Sequence, residues 1–278
     1  MNGMPHILVL TWTINPWNKV KWKFFTKEDL LKRSIEYYQA IKFYIEKSDF
    51  DIIIFCDNSN QYPPHKEKLL SQAKNKWKTL ELLRYRDNDN YSEKVSYWAW
   101  EAAILDYIYE NSKYIHSNKS WIKITWRYII TNINEIIKKL ENQDVYFSKW
   151  WIREYQMMVT TWFFKISNEV YGKYIYKKRL KVFVNLNKCK KFFKTKSHIK
   201  YSQLEIVYYI LLRDYLLNIY KTNHYIEAYF EYIKRSYFMK IVVHFSIILG
   251  FNDFNKLHKI LEPISMNDEF RFLINNSK

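Results

Sequence analysis

The stretch SWIKITWRYII, residues Ser120–Ile130, carries the clearest structural signal in this sequence. Ile122 and Ile124 are typical of a buried strand, and the polar elbow Thr125–Tyr128 follows at once. Open α/β sheets bind ligands outside the carboxyl ends of their strands. The elbow therefore predicts a ligand-binding edge, although Trp126 is a bulky residue where glycine is usual.

Further apolar runs extend this pattern over the first 165 residues. Strands are predicted at His6–Thr11, Asp51–Cys56, Thr79–Tyr85, Trp121–Thr125, Asp144–Phe147 and Gln156–Ile166. Helices between them are predicted to begin near Thr26, with Asp29 completing a capping box, and near His65, Ala102 and Asn132. Alternating strands and helices predict an α/β fold with a Rossmann-like sheet, parallel or mixed, that is flanked by helices.

The rest of the chain has a different character. Residues Lys177–Lys200 are basic and irregular, and the pattern then favours helices over Leu204–Tyr220, Tyr225–Phe238 and about Met239–Leu261. We therefore expect an α/β domain over residues 1–165 and a mostly helical region over 166–278, packed with it as one unit.

The composition predicts an anionic partner. The formal net charge is +17, which favours nucleotides, nucleic acid or an anionic membrane surface, and the 48% hydrophobic content supports a large core. The lysine excess has an alternative explanation, a drift in composition from an AT-rich genome. Only Cys56 and Cys189 occur, without metal-ligand spacing, so a zinc site is not expected and a reduced, intracellular setting fits.

Glycine and tryptophan have unusual frequencies. The chain has 3 glycines and 11 tryptophans, whereas average usage gives about 20 glycines at this length. Tryptophans also stand where loops usually carry glycine. Some bacterial lineages read UGA as glycine, and we hypothesise that many of these residues are glycines in the living cell. The alternative is a protein that is truly rich in tryptophan.

Four motifs resemble those of a known family. They are LTWTINP (Leu10–Pro16), FDIIIFCDNSN (Phe50–Asn60), YWAWEAAILDY (Tyr97–Tyr107) and IKITWRYIITNI (Ile122–Ile133). They resemble bacterial glycosyltransferase-like proteins from surface-polysaccharide and lipopolysaccharide gene clusters, whose motifs read TGTINP, ENS, GxGE and KITGRY. Tryptophan stands at each family glycine. The resemblance implies a GT-A-like domain that uses a nucleotide-sugar donor.

The resemblance also implies a set of site residues. The predicted donor-binding residues are Thr11, Thr13, Asn15, Asp57, Asn58, Ser59, Trp98, Trp100, Lys123, Thr125, Trp126 and Tyr128. Asp57–Ser59 has an alternative reading as a simple turn. Trp98 and Trp100 precede a predicted helix, whose amino end would face the diphosphate if both are glycine.

Arg127 is the predicted stabiliser of the leaving diphosphate, because the elbow lacks the metal-binding carboxylates common in GT-A enzymes. Its alternative role is a salt bridge to a core carboxylate. Asp87-Asn88-Asp89 is a weak candidate for Mg²⁺ or Mn²⁺, so a metal requirement stays open. Glu101, Glu154 and Glu205 are candidate general bases, and we place Glu101, Arg127 and Glu205 in the catalytic set.

We expect a cytoplasmic enzyme, because no signal peptide is visible before the first strand. The family resemblance implies a glycan or lipid-linked acceptor. The basic stretch Lys177–Lys200 predicts peripheral contact with the anionic inner face of the membrane, or else a solvated charged surface. Two alternatives stay open: a basic nucleic-acid-binding protein, against which the absence of a recognised nucleic-acid motif argues, and a catalytically inactive family member.

Overall fold

A computed structural model of the chain describes residues 5–13, 26–85, 97–125, 128–147, 150–153, 156–159, 161–178, 208, 211–212, 225–232 and 241–248. At 97–100, 150–153, 156–159, 225–232 and 241–248 it describes the backbone alone. Within these ranges, no helix combines the length and the hydrophobicity needed to cross a bilayer.

A six-stranded mixed sheet forms the centre of the molecule. Its strands are β1 (Ile7–Trp12), β2 (Ile52–Asp57), β3 (Thr79–Arg84), β4 (Ser120–Thr125), β6 (Val145–Phe147) and β9 (Phe163–Ser167). Their order is β3-β2-β1-β4-β9-β6; the first four are parallel, and β9 is antiparallel to both neighbours. The α/β class and the Rossmann-like mixed sheet predicted from the sequence are confirmed.

Helices cover both faces of this sheet, as the near-continuous apolar strands require. Helices α1 (Lys27–Lys47), α2 (Lys66–Asn75) and α4 (Ile133–Leu140) share one hydrophobic core, and α3 (Tyr97–Asn111) packs in the core on the opposite face. Thr26 caps α1 in the predicted capping box, with its hydroxyl accepting from the Asp29 amide at 3.1 Å. That prediction is confirmed.

The chain continues past residue 165 without leaving this core. Strand β9 spans the predicted boundary between residues 165 and 166. A short helical segment, α5 (Asn168–Val170), and a π-helical turn, Tyr171–Ile175, then pack against α3. The Tyr171 hydroxyl donates to Asp106 of α3 at 2.7 Å. The described residues just beyond 165 therefore belong to the same core as β4.

The described strands outside the central sheet differ from the sequence predictions. The predicted strand Gln156–Ile166 is divided into β8 (Gln156–Val159), which pairs with β7 (Trp150–Arg153), and β9. The predicted helices over Tyr225–Phe238 and Met239–Leu261 are wrong in the described residues, which form β10 (Tyr225–Tyr232) and β11 (Ile241–Ile248). β-Branched and aromatic residues dominate both segments, and this favours strands. Strand β11 also pairs with β5 (Ile129–Ile130).

Trp77 occupies a position that normally requires glycine. It follows α2 with φ at 57°, and its side chain is 95% exposed. The amide of Lys78 donates to Ala73 O at 2.9 Å, and that of Trp77 donates to Lys74 O at 3.0 Å. This is a Schellman motif with Trp77 at its left-handed position, which glycine occupies without steric cost. The geometry at Trp77 fits the glycine hypothesis.

Two other tryptophans are packed as large residues. Trp12 stacks on Tyr37 with ring centroids 4.5 Å apart, and it also meets the ring of Phe55. Trp121 is buried, and its indole donates to Asn168 Oδ1 at 3.2 Å. Neither backbone has a positive φ. The backbone at Trp77 thus favours glycine, whereas the packing at Trp12 and Trp121 favours a large aromatic side chain.

Candidate functional site

The parallel sheet changes direction between β1 and β4. The chain moves outward from β1 through β2 to β3, and then crosses by way of α3 to β4 on the other side of β1. This is a topological switch point, where the loops separate and open α/β sheets bind their ligands. Thr11 and Thr125 are direct register partners at its carboxyl end. The end of the strand predicted from the Ser120–Ile130 stretch therefore lies at this switch point.

A buried polar cluster lies beside this switch point. Lys123, whose side chain is fully buried, donates to the Glu101 carboxylate, to Thr125 Oγ1 and to the carbonyl of Thr161. The Thr125 hydroxyl donates to Glu101 Oε1 at 2.6 Å. We call these four groups the β4 polar cluster. It brings together three of the predicted site residues, Glu101, Lys123 and Thr125.

The cluster makes Lys123 a positioning residue in this structure. Its ammonium is surrounded by protein acceptors, whereas the Glu101 side chain remains 14% exposed. Both hydrogen bonds to Glu101 end on the same oxygen, Oε1. Lys123 thus fixes the carboxylate, and Glu101 is the member of the pair that is open to solvent.

Thr11 contributes a second polar feature to the switch point. It is 2% exposed, and within the described part of the chain its hydroxyl has no hydrogen-bond partner. An unpaired buried hydroxyl costs about 1–3 kcal/mol. A buried polar group of this kind calls for an explanation, and a role at a binding or catalytic site is one.

The carboxyl end of β2 forms an ordered loop. Asp57 is fully buried, and its Oδ1 accepts from the amide and the hydroxyl of Ser59, at 2.8 and 2.6 Å, and from the Gln61 amide at 3.0 Å. The Asn58 amide donates to Trp12 O at 3.0 Å. These bonds give Asp57 the turn role that the sequence left open, and they hold the loop against β1.

Cys56, at the end of the same strand, has no catalytic character. Burial, together with the charges of Asp57 and Glu81, raises the pKa of its thiol well above the usual range. The thiolate is the nucleophilic form of cysteine. Cys56 therefore stays protonated and acts as a core residue beside Thr11, its register partner on β1.

The predicted residues Thr13 and Tyr128 are held by helix α1. The carbonyl of Thr13 accepts from Arg33 at 2.8 Å and from the Tyr37 hydroxyl at 2.9 Å. The carbonyl of Tyr128 accepts from the Tyr44 hydroxyl at 2.8 Å. Both therefore connect the switch-point edge to the core. The Tyr128 ring also meets Trp162 edge-on, a neighbour that no sequence motif indicated.

The segment before Glu101 differs from the prediction. Residues Trp98 and Trp100 do not precede the helix, because α3 already begins at Tyr97. The reason is local: no proline or glycine occurs between Tyr97 and Asn111 to delay the helix. The amides of residues 97–99 therefore lie in the first turn of α3, where backbone N–H groups have no partner within the helix.

The remaining predicted residues lie outside the described part of the chain: Asn15, Asp87, Asn88, Asp89, Trp126, Arg127, Glu154 and Glu205. Their predicted roles stay predictions. Among the described residues, no group of three or more His, Cys, Asp or Glu side chains is arranged to hold a metal ion. The described polar groups at the switch point are thus one carboxylate, one ammonium and hydroxyls.

Comparison with known proteins gives little beyond the fold. No family model matches the chain, and no curated protein matches it. The chain is structurally similar to HddC from Yersinia pseudotuberculosis, known from a crystal structure, at 10% identity and a TM-score of 0.31. That match covers 62% of this chain and 80% of HddC. A likeness this distant carries no argument about activity.

Proposed function

We propose that this chain is a glycosyltransferase that moves a sugar from a nucleotide-sugar donor to a cell-surface glycan or lipid-linked acceptor. The observation that carries the proposal is the β4 polar cluster at the switch point of a mixed α/β sheet, where sheets of this class bind nucleotides. Described residues of all four motifs that resemble the glycosyltransferase-like family lie in β1, β2, α3 and β4, the elements that form this edge.

In this proposal Glu101 is the group that meets the substrate. Its carboxylate is held by Lys123 and Thr125 and remains partly exposed, as a general base or a hydroxyl-binding group requires. Thr11 and Thr125 border the donor from adjacent strands. Arg127 follows Thr125 by two positions, and its proposed role is to stabilise charge on the leaving diphosphate.

Buried charge at this edge supports a functional reading over a purely structural one. A buried ion pair is seldom more stabilising than apolar residues of the same volume, because both charges lose their hydration. Most of the buried side chains around it are aliphatic or aromatic, although Asp57, Asp106 and Lys165 are buried as well. The Lys123–Glu101 pair at the switch point therefore supports a role in chemistry on a substrate.

A donor screen tests the proposal. Thermal stability is measured with a panel of nucleotide-sugars, and donor turnover is followed as release of free nucleotide. We expect at least one donor to stabilise the protein, Glu101→Gln to abolish turnover, and the exposed Glu169→Gln to leave it unchanged. Absence of stabilisation by every donor, or full turnover in the Glu101 variant, would contradict the proposal.

A further inference from the structure

A second cationic feature lies on the same sheet edge, away from the β4 polar cluster. Arg84 ends β3, and its register partner on β2 is Asp57. Arg84 Cζ lies 4.4 Å from the centroid of the Tyr62 ring, and Lys66 Nζ lies 4.3 Å from the same centroid. One ring therefore holds two cations, and the two charges are no more than about 9 Å apart.

The two cations are poorly neutralised by protein groups. Lys66 contacts the exposed Glu67 at 3.4 Å, a surface pair of little strength. Among the described residues, Arg84 has no ion pair with a carboxylate. Like charges at this distance repel, and an anion that contacts both relieves that repulsion.

The backbone that carries the Tyr62 ring is also rigid, which lowers the entropic cost of binding an anion there. Tyr62 directly follows Gln61, whose amide is bonded to the buried Asp57 carboxylate at 3.0 Å. Pro63 and Pro64 come next and restrict the backbone before α2 begins. The ring that holds the two cations is thus fixed from both sides along the chain, and a preorganised site loses less freedom on binding.

We propose that Tyr62, Lys66 and Arg84 form a binding site for a phosphate-bearing anion at the carboxyl edge of β2 and β3. The Arg84 guanidinium offers a planar fork of donors that matches phosphate oxygens, and Lys66 adds a second positive charge. Strand β3 is three strands from β4 in the sheet, which is about 14 Å at ordinary strand spacing. The site is therefore separate from the β4 polar cluster and does not depend on sugar transfer.

Calorimetric titration of the protein with inorganic pyrophosphate at low salt tests this site. We expect millimolar or tighter binding, weakened about tenfold by Arg84→Gln, which removes the fork. Tyr62→Leu removes the ring that holds the cations and weakens binding several-fold, whereas Tyr62→Phe retains the ring and the affinity. Lys68→Gln is the matched control, because this exposed lysine of α2 carries the same charge but is not part of the Tyr62 site.

Two outcomes would overturn the proposal. Equal weakening by Lys68→Gln and Arg84→Gln would show a general charge effect, and absence of binding at about 10 mM pyrophosphate would show that no site exists. Circular dichroism of each variant establishes that it is folded. Failure of every nucleotide-sugar to bind, with Arg84-dependent pyrophosphate binding retained, would reject the glycosyltransferase proposal and leave this one standing.

Discussion

Replacing Trp77 with glycine should stabilise the protein. The left-handed conformation at Trp77 costs a residue with a Cβ roughly 1–2 kcal/mol. Glycine removes that cost but adds about 0.4–1 kcal/mol of freedom to the unfolded chain. The 95% exposed indole contributes almost no burial that could be lost. The expected net gain is about 1 kcal/mol, which raises Tm by roughly 2–4 °C in a chain of this size.

Two further variants isolate the cause of this gain. Trp77→Ala removes the indole but keeps the Cβ, so its unfolding free energy should stay within about 0.5 kcal/mol of the parent. Trp121→Gly removes a buried ring and should cost more than about 3 kcal/mol. Chemical denaturation measures all three. Equal stability of the glycine and alanine variants at position 77 would refute the argument from backbone strain.

Three more predictions follow from the described contacts. Lys123→Met should destabilise the fold by about 3 kcal/mol, because it leaves the Glu101 carboxylate without its buried partner, and adding Glu101→Leu should recover part of that loss in a double-mutant cycle. Burial lowers the pKa of Lys165 to about 8, with Asp144 and Glu141 opposing the shift. Above about pH 8 the Lys165 amine therefore binds more protons in the unfolded chain than in the folded protein, so the free energy of unfolding should rise between about pH 8 and 10. Urea denaturation at a series of pH values measures this rise, and Lys165→Met should flatten it. Thr26→Ala should cost about 1 kcal/mol by removing the α1 cap, as measured by thermal unfolding, and an unchanged Tm would contradict the capping role.

The sequence predicted the central sheet well because most of its strands are short apolar runs that are buried along nearly their whole length. The capping box at Thr26 was equally readable, since its signal is local. The segment Tyr225–Ile248 was misread because tyrosine and isoleucine fit either a helical stripe or a strand when polar residues are sparse. Strand β11 pairs with Ile129–Ile130, more than 100 residues earlier in the chain, and a local sequence pattern does not show such a contact.

Site residues were predictable where a strand delivers them directly, or where a motif that resembles the family contains them, as at Glu101. Thr11 and Thr125 lie at strand ends, and their adjacency follows from the parallel register. The carbonyl of Thr161 and the cation–ring contacts at Tyr62 had no sequence signal, because each depends on where the chain returns to the sheet. The pairing of Lys123 with Glu101 could not be read from spacing, since 22 residues separate them.

The tryptophan positions differ in backbone conformation and in burial. Position 77 has a positive φ, positions 98 and 100 are helical, and positions 12 and 121 are buried. If UGA is read as glycine, strain predicts UGA at codon 77, and packing predicts UGG at codon 121. At Gly172, by contrast, an added Cβ would lie 2.6 Å from the Tyr109 hydroxyl, so a larger residue there would force the Tyr109 side chain to shift.

The identity of residues 98 and 100 has a limited effect on the proposed site. Glycine at both positions would lower helix propensity by about 1 kcal/mol each in the first turn of α3. Glu101 follows that turn and is fastened to β4 through Lys123 and Thr125, which are fixed by strand pairing. The cluster therefore anchors the start of α3 whichever residues precede it, and the carboxylate keeps its place at the switch point whether those codons encode tryptophan or glycine.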